Sequence, residues 1–83
     1  MNENQIFELI VANIKKIAVH LEDVTIKKNA ILSPLGLDSI GRAELIIQTI
    51  EDLQVNAVSS EFYSARNLGE LARMFEQKVN NIN

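Results

Sequence analysis

The stretch Leu35-Gly36-Leu37-Asp38-Ser39-Ile40-Gly41-Arg42-Ala43-Glu44-Leu45 decides how the rest of the chain is read. A loop rich in turn residues, Ser33, Pro34 and Gly36, ends here, and an apolar-periodic run begins. Asp38 stands where a helix N-cap belongs, its carboxylate able to accept from the first free backbone N–H groups. Ser39 then falls in the first helical turn, with its hydroxyl near the surface. Free N–H groups and the positive helix end favour an anion there. The stretch reads as an exposed serine suited to carry a phosphate-type group.

Outward from it, residues 39–53 predict a helix. Ile40, Ala43, Ile47, Ile50 and Leu53 form the expected inward stripe, with Leu45 and Ile46 broadening it. Arg42, Glu44, Gln48, Glu51 and Asp52 fall on the outer side. Residues 4–21 predict an earlier helix through Ile6, Phe7, Ile10, Ile14, Ile17 and Leu21, with Lys15, Lys16 and His20 near its end. Residues 22–37 form a long connection with enough apolar positions to pack on the core. Connections of this length are often functional. Residues 54–60 make a second connection, anchored by Val55 and Val58. A short helix over 60–65 is expected, capped by Ser59 or Ser60. Asn67-Leu68-Gly69-Glu70 has capping-box spacing and opens a last helix to about Val79, with Leu68, Leu71, Ala72, Phe75 and Val79 on one face. The tail Asn80–Asn83 is expected to fray. The fold class is all-α: a small four-helix bundle in a single domain, residues 1–83, ordered over about 4–79.

Composition narrows the function. The chain has 83 residues and no cysteine, so neither a disulfide nor a thiolate nucleophile is available. One histidine leaves no metal cluster. Four aromatics without tryptophan make a poor stacking surface for nucleic acid, and a net charge of −3 disfavours a phosphate backbone. No run of about 18 apolar residues is present, so no membrane span is expected. The start Met1-Asn2-Glu3-Asn4 lacks the basic and apolar blocks of a signal peptide. A monomeric cytoplasmic protein is expected. The acidity is local: residues 29–61 hold Asp38, Glu44, Glu51, Asp52 and Glu61 against Arg42 alone. A soluble acidic surface and a docking face for basic partners both fit that distribution. No catalytic residue is expected, because no base is placed by sequence to activate Ser39 and no Gly-x-Ser-x-Gly elbow is present.

Gly36-Leu37-Asp38-Ser39-Ile40, followed by Glu44-Leu45, resembles the attachment motif of acyl carrier proteins, and the order of elements matches over nearly the whole chain. The resemblance implies 4'-phosphopantetheine esterified to Ser39, its thiol holding an acyl group as a thioester. It implies a phosphopantetheinyl transferase as partner, and an acyltransferase, ketosynthase or decarboxylase. Partner recognition is expected at Asp38, Ile40, Arg42, Ala43, Glu44, Glu61 and Tyr63. Asp38-Ser39-Ile40-Gly41-Arg42-Ala43-Glu44-Leu45 and Ser64-Ala65-Arg66-Asn67-Leu68-Gly69-Glu70-Leu71 resemble free-standing carriers of trans-acting polyketide pathways. These look like the donor that delivers acetyl to a 3-hydroxy-3-methylglutaryl (HMG) synthase-like β-branching enzyme. Acceptor carriers of such pathways resemble one another in a tryptophan six residues after the serine, where this chain has Leu45. Arg42 beside Glu44 reads as a mixed-charge address. Ala57-Val58 departs from the family, in which a proline is common. A general fatty-acid or chain-elongation carrier, and an unmodified helical interaction module, are the alternatives.

Overall fold

The computed structural model describes residues 1–31 and 37–80. Expectations for Leu32, Ser33, Pro34, Leu35 and Gly36, and for 81–83, lie outside the described residues. The elements run α1 (Glu3–Ile17), a 3-10 turn (Val19–Leu21), α2 (Ser39–Leu53), a 3-10 turn (Ser59–Phe62) and α3 (Leu68–Asn80). The described residues thus hold three α-helices and two 3-10 turns. The expected short helix is one of those turns.

Each helix starts where a side chain takes an orphan N–H. Asn2 Oδ1 accepts from Gln5 N–H at 2.8 Å, and Gln5 Oε1 accepts from Asn2 N–H at 2.9 Å. This capping box sets the start of α1 one residue ahead of the expected one. At the other end the helix stops at Ile17 instead of running to Leu21. Ala18 leaves helical dihedrals at φ −113° and ψ 82°. Ile17 is only half-buried at the stripe's edge, and the tighter turn carries Leu21 into the core while Val19 stays in solvent. α2 ends on Gln54 in the left-handed region (φ 54°), with Val55 N–H donating back to Ile50 at 3.3 Å.

α1 is the spine. Ile6, Ile10 and Ile14 are wholly buried, and α1 packs against both α3 and α2. Phe75 of α3 and Phe62 of the 3-10 turn stack at 4.0 Å between ring centroids, and Leu68, Leu71 and Ala72 complete that side. Val79 is partly buried against the same cluster.

The inward face of α2 differs from the expected stripe. Gly41, Leu45, Ile46 and Thr49 face the core. Ile40 and Ile47 are exposed, while Ala43, Ile50 and Leu53 are half-buried. Thr49 is tolerated inside because its hydroxyl donates to the Leu45 carbonyl at 2.8 Å. Asn13 of α1 donates to Thr49 Oγ1 at 3.3 Å and to Asp52 Oδ2 at 2.9 Å. That polar contact selects this face. Of the expected anchors after α2, Val55 packs on the core, whereas Val58 is exposed.

The first connection docks on α3. The carbonyls of Ala30 and Lys28 accept from Leu68 and Gly69 N–H at 3.0 and 2.7 Å, capping the helix that Asn67 Oδ1 also caps through Glu70 N–H at 2.9 Å. A Cβ at Gly69 would stand 3.2 Å from the Lys28 carbonyl, so glycine permits the approach. Glu70 closes its box on Arg66 N–H, one residue earlier than the Asn67 spacing implied. Glu3 binds Arg73 of α3 and Lys28 of the connection at 3.2 and 3.5 Å. Ile26 and Leu37 are buried at the two ends of the connection, whereas Val24 and Ile31 are exposed.

Three carboxyls sit below their ordinary values. Glu3 is held down first by Arg73, Asp52 by the Asn13 amide and then Gln48, and Glu61 by Lys78 and then the Val58 N–H. A folded value below the unfolded one means that the ionised form stabilises the fold. That contribution is complete above about pH 5 and is lost as pH falls through the folded values. The melting temperature should therefore be flat from about pH 7 to 5.5 and drop below about pH 4.5, less steeply in Asp52→Asn and in high salt. Melting curves across that range check it. Phe62→Ala should cost about 3–5 kcal/mol, a large part of the roughly 4–12 kcal/mol available to a domain of this size. Urea unfolding measures that loss.

Candidate functional site

The start of α2 gathers most of the expected site residues. Asp38 is the N-cap, extended at φ −79° and ψ −173°, and its Oδ1 accepts from Gly41 N–H at 2.8 Å. Its carbonyl accepts from Arg42 N–H at 2.9 Å. Asp38 thus takes two of the first N–H groups, and among the described residues none accepts from those of Ser39 and Ile40. Ser39 is the first residue of α2 and is exposed. A Cβ at Gly41 would come within 3.0 Å of Leu37 Cδ2, so the missing side chain lets Leu37 fold back over the helix start. The serine is presented at the edge of a capped, packed helix end.

A phosphodiester fits this position. The residue is exposed, the positive end of the helix favours an anion, and the backbone already has its helical form. Asp38 adds a neighbouring negative charge but spends its cap oxygen on Gly41. His20 is exposed on the 3-10 turn after α1. No group of three metal-ligating side chains occurs among the described residues.

The remaining candidates divide. Ile40 is 69% and Tyr63 45% exposed, and Glu44 and Glu61 lie in solvent. Ala43 is half-buried. Glu61 is engaged: Lys78 Nζ lies 2.6 Å from its Oε1, and its Oε2 accepts from Val58 N–H at 2.9 Å.

Arg42 departs from the expected outward cation. It is half-buried, and its Nη2 donates to the Tyr63 carbonyl at 2.9 Å and to the Ala65 carbonyl at 3.1 Å. The guanidinium lies over the Tyr63 ring, 5.7 Å from its centroid. It also borders a cleft floored by Ile46, Phe62, Leu68 and Leu71. Arg42 is therefore engaged within the fold and is not the outward side chain expected. Nothing in the sequence pointed to Tyr63 and Ala65 as acceptors, because backbone carbonyls more than twenty residues away leave no local pattern.

An all-helical domain with a capped, solvent-facing serine at its second helix and a long connection before it has the build of a carrier domain. No family model matches the chain. It is 34% identical over 79 residues, 95% of its length and 96% of the relative's, to the polyketide biosynthesis acyl-carrier-protein AcpK of Bacillus subtilis (strain 168). Among solved structures it resembles a chain from the crystal structure of the curacin biosynthetic pathway HMG synthase in complex with acetyl donor acyl carrier protein. The TM-score is 0.90 at 38% identity, over 94% of this chain and all of that one. The chain belongs to the acyl carrier proteins of polyketide biosynthesis.

Replacing Asp38 with alanine should lower stability by about 0.5–2 kcal/mol through loss of the cap. Chemical denaturation measures the loss. The accompanying increase in amide exchange should centre on Gly41 and Arg42, which hydrogen-exchange NMR can resolve.

Proposed function

We propose that Ser39 is the attachment point of 4'-phosphopantetheine and that the chain delivers an acetyl thioester to an HMG synthase-like β-branching enzyme. The observation that carries the reading is the likeness, at 38% identity and a TM-score of 0.90, to a chain solved with an HMG synthase and an acetyl donor carrier. The exposed Ser39 at the capped start of α2 supports the attachment point.

In loading, Ser39 Oγ forms a bond to phosphorus as the pyrophosphate of coenzyme A breaks and adenosine bisphosphate leaves. The hydroxyl proton passes to a base of the transferase. The bound arm supplies a thiol for the acyl group. This chain's own contribution is to fix the root of the arm and to present the surface around it. That surface is apolar at Ile40 and Tyr63, with Glu44 and Glu61 beside it. Apolar contact supplies affinity there and the Glu44 carboxylate favours a basic partner, Glu61 being paired with Lys78.

Incubation with coenzyme A and a promiscuous phosphopantetheinyl transferase, followed by mass spectrometry, should add one arm to the wild type and none to Ser39→Ala. Retained modification in Ser39→Ala would refute the site. The acetyl-loaded protein should then support condensation onto an acceptor-bound β-ketoacyl chain. Use of the acetyl form by a chain-elongating ketosynthase but not by the synthase would leave a general carrier. Ile40→Asp should weaken synthase binding about tenfold or more, as expected for loss of a central apolar contact. Titration calorimetry reads that change.

A further inference from the structure

We infer that Arg42 is a positioning residue: it clamps the segment after the Ser59–Phe62 turn onto the first turn of α2, and so holds the Tyr63 side of the docking face in place beside Ser39. The inference rests on the proposed reading of that face as the partner surface.

The geometry of the clamp is specific. One nitrogen, Nη2, serves both the Tyr63 and the Ala65 carbonyls, while the guanidinium plane lies over the Tyr63 ring. One guanidinium nitrogen donates to both carbonyls while the group covers the ring, and a compact, strongly hydrated ammonium on a flexible stem does not present the same planar group to that ring. The Tyr63 and Ala65 carbonyls follow a 3-10 turn, where helical donors run out. Arg42 supplies the missing donor. Both ends of the clamped segment are fixed: Phe62 is buried in the stack with Phe75, and Asn67 caps α3. Between them Ala65 N–H donates to the Phe62 carbonyl and Arg66 N–H to Glu70, while Arg42 takes the carbonyls of Tyr63 and Ala65. Ser39 precedes Arg42 by three residues, so the two are neighbours on the helix surface. The distance between the arm's root and the exposed Tyr63 ring is thereby set from within the carrier.

A clamp and a free recognition charge respond differently to lysine. Arg42→Lys keeps the charge and loses the planar guanidinium, whereas Arg42→Gln loses both. The backbone carbonyl carbon shifts of Tyr63 and Ala65 are measured on the unloaded protein. KM and kcat of the synthase for the acetyl form are measured at low and high salt. The expected result is that both variants move the two carbonyl shifts. Both should also raise KM about tenfold, with kcat held and little salt dependence. A wild-type KM in Arg42→Lys with a raised one in Arg42→Gln would make Arg42 a charge contact and overturn the clamp. Unmoved carbonyl shifts in both variants would overturn it too. If the synthase does not accept the wild-type acetyl form, the donor reading fails separately. The carbonyl shifts and the transferase's KM for each variant then decide the clamp.

Discussion

The inward face of α1 is the surface on which the rest of the domain is seated. Ile6, Ile10 and Ile14 lose all contact with water, and both α2 and α3 lie against this one helix. A chain this short cannot build a second core, so everything not on α1 must be held by connections. Phe62 provides apolar filling near α3, stacking on Phe75, and the first connection provides polar closure by capping α3 with the Lys28 and Ala30 carbonyls. The end of the molecule that bears Ser39 is thus assembled from loop backbone as much as from helix faces.

Much of this was readable in the sequence where the signal is local. Asp38-Ser39 and Asn67–Glu70 state their helix starts because a cap needs only residues three apart. α2 was placed over the observed residues for that reason. Its orientation was not readable. Ile40, Ala43, Leu45, Ile46, Ile47, Ile50 and Leu53 spread over more than half the helix circumference, and several stripes fit such a pattern equally well. Two residues that hydropathy ignores decide the matter: Gly41, which lets Leu37 close in, and Thr49, which meets Asn13. Arg42 was read outward for a related reason. Charge predicts exposure on average, and its acceptors come from a segment that reaches it only in the folded chain.

The two isoleucines turned to solvent change the sense of the α2 surface. Ile40 and Ile47 would strengthen the core if rotated inward, yet they lie outside among Glu44, Gln48 and Glu51. Exposed apolar side chains with charge at the margin have the composition of surfaces that associate briefly. Val58 and Tyr63 extend that surface along the following turn.

The buried amide of Asn13 has a further consequence. Aliphatic side chains make an oily contact that tolerates small rotations of one helix against another, since leucine and isoleucine have no preferred direction of bonding. A hydrogen bond does. With Asn13 Nδ2 donating to Thr49 Oγ1 and Asp52 Oδ2, α2 has one angular setting about its own axis that keeps both donor bonds. Asn13 works as an indexing pin, and the pin stands near the far end of the helix from Ser39. A rigid fifteen-residue rod carries the setting from one end to the other. The compass bearing at which the serine oxygen leaves the protein is therefore written in an asparagine on another helix.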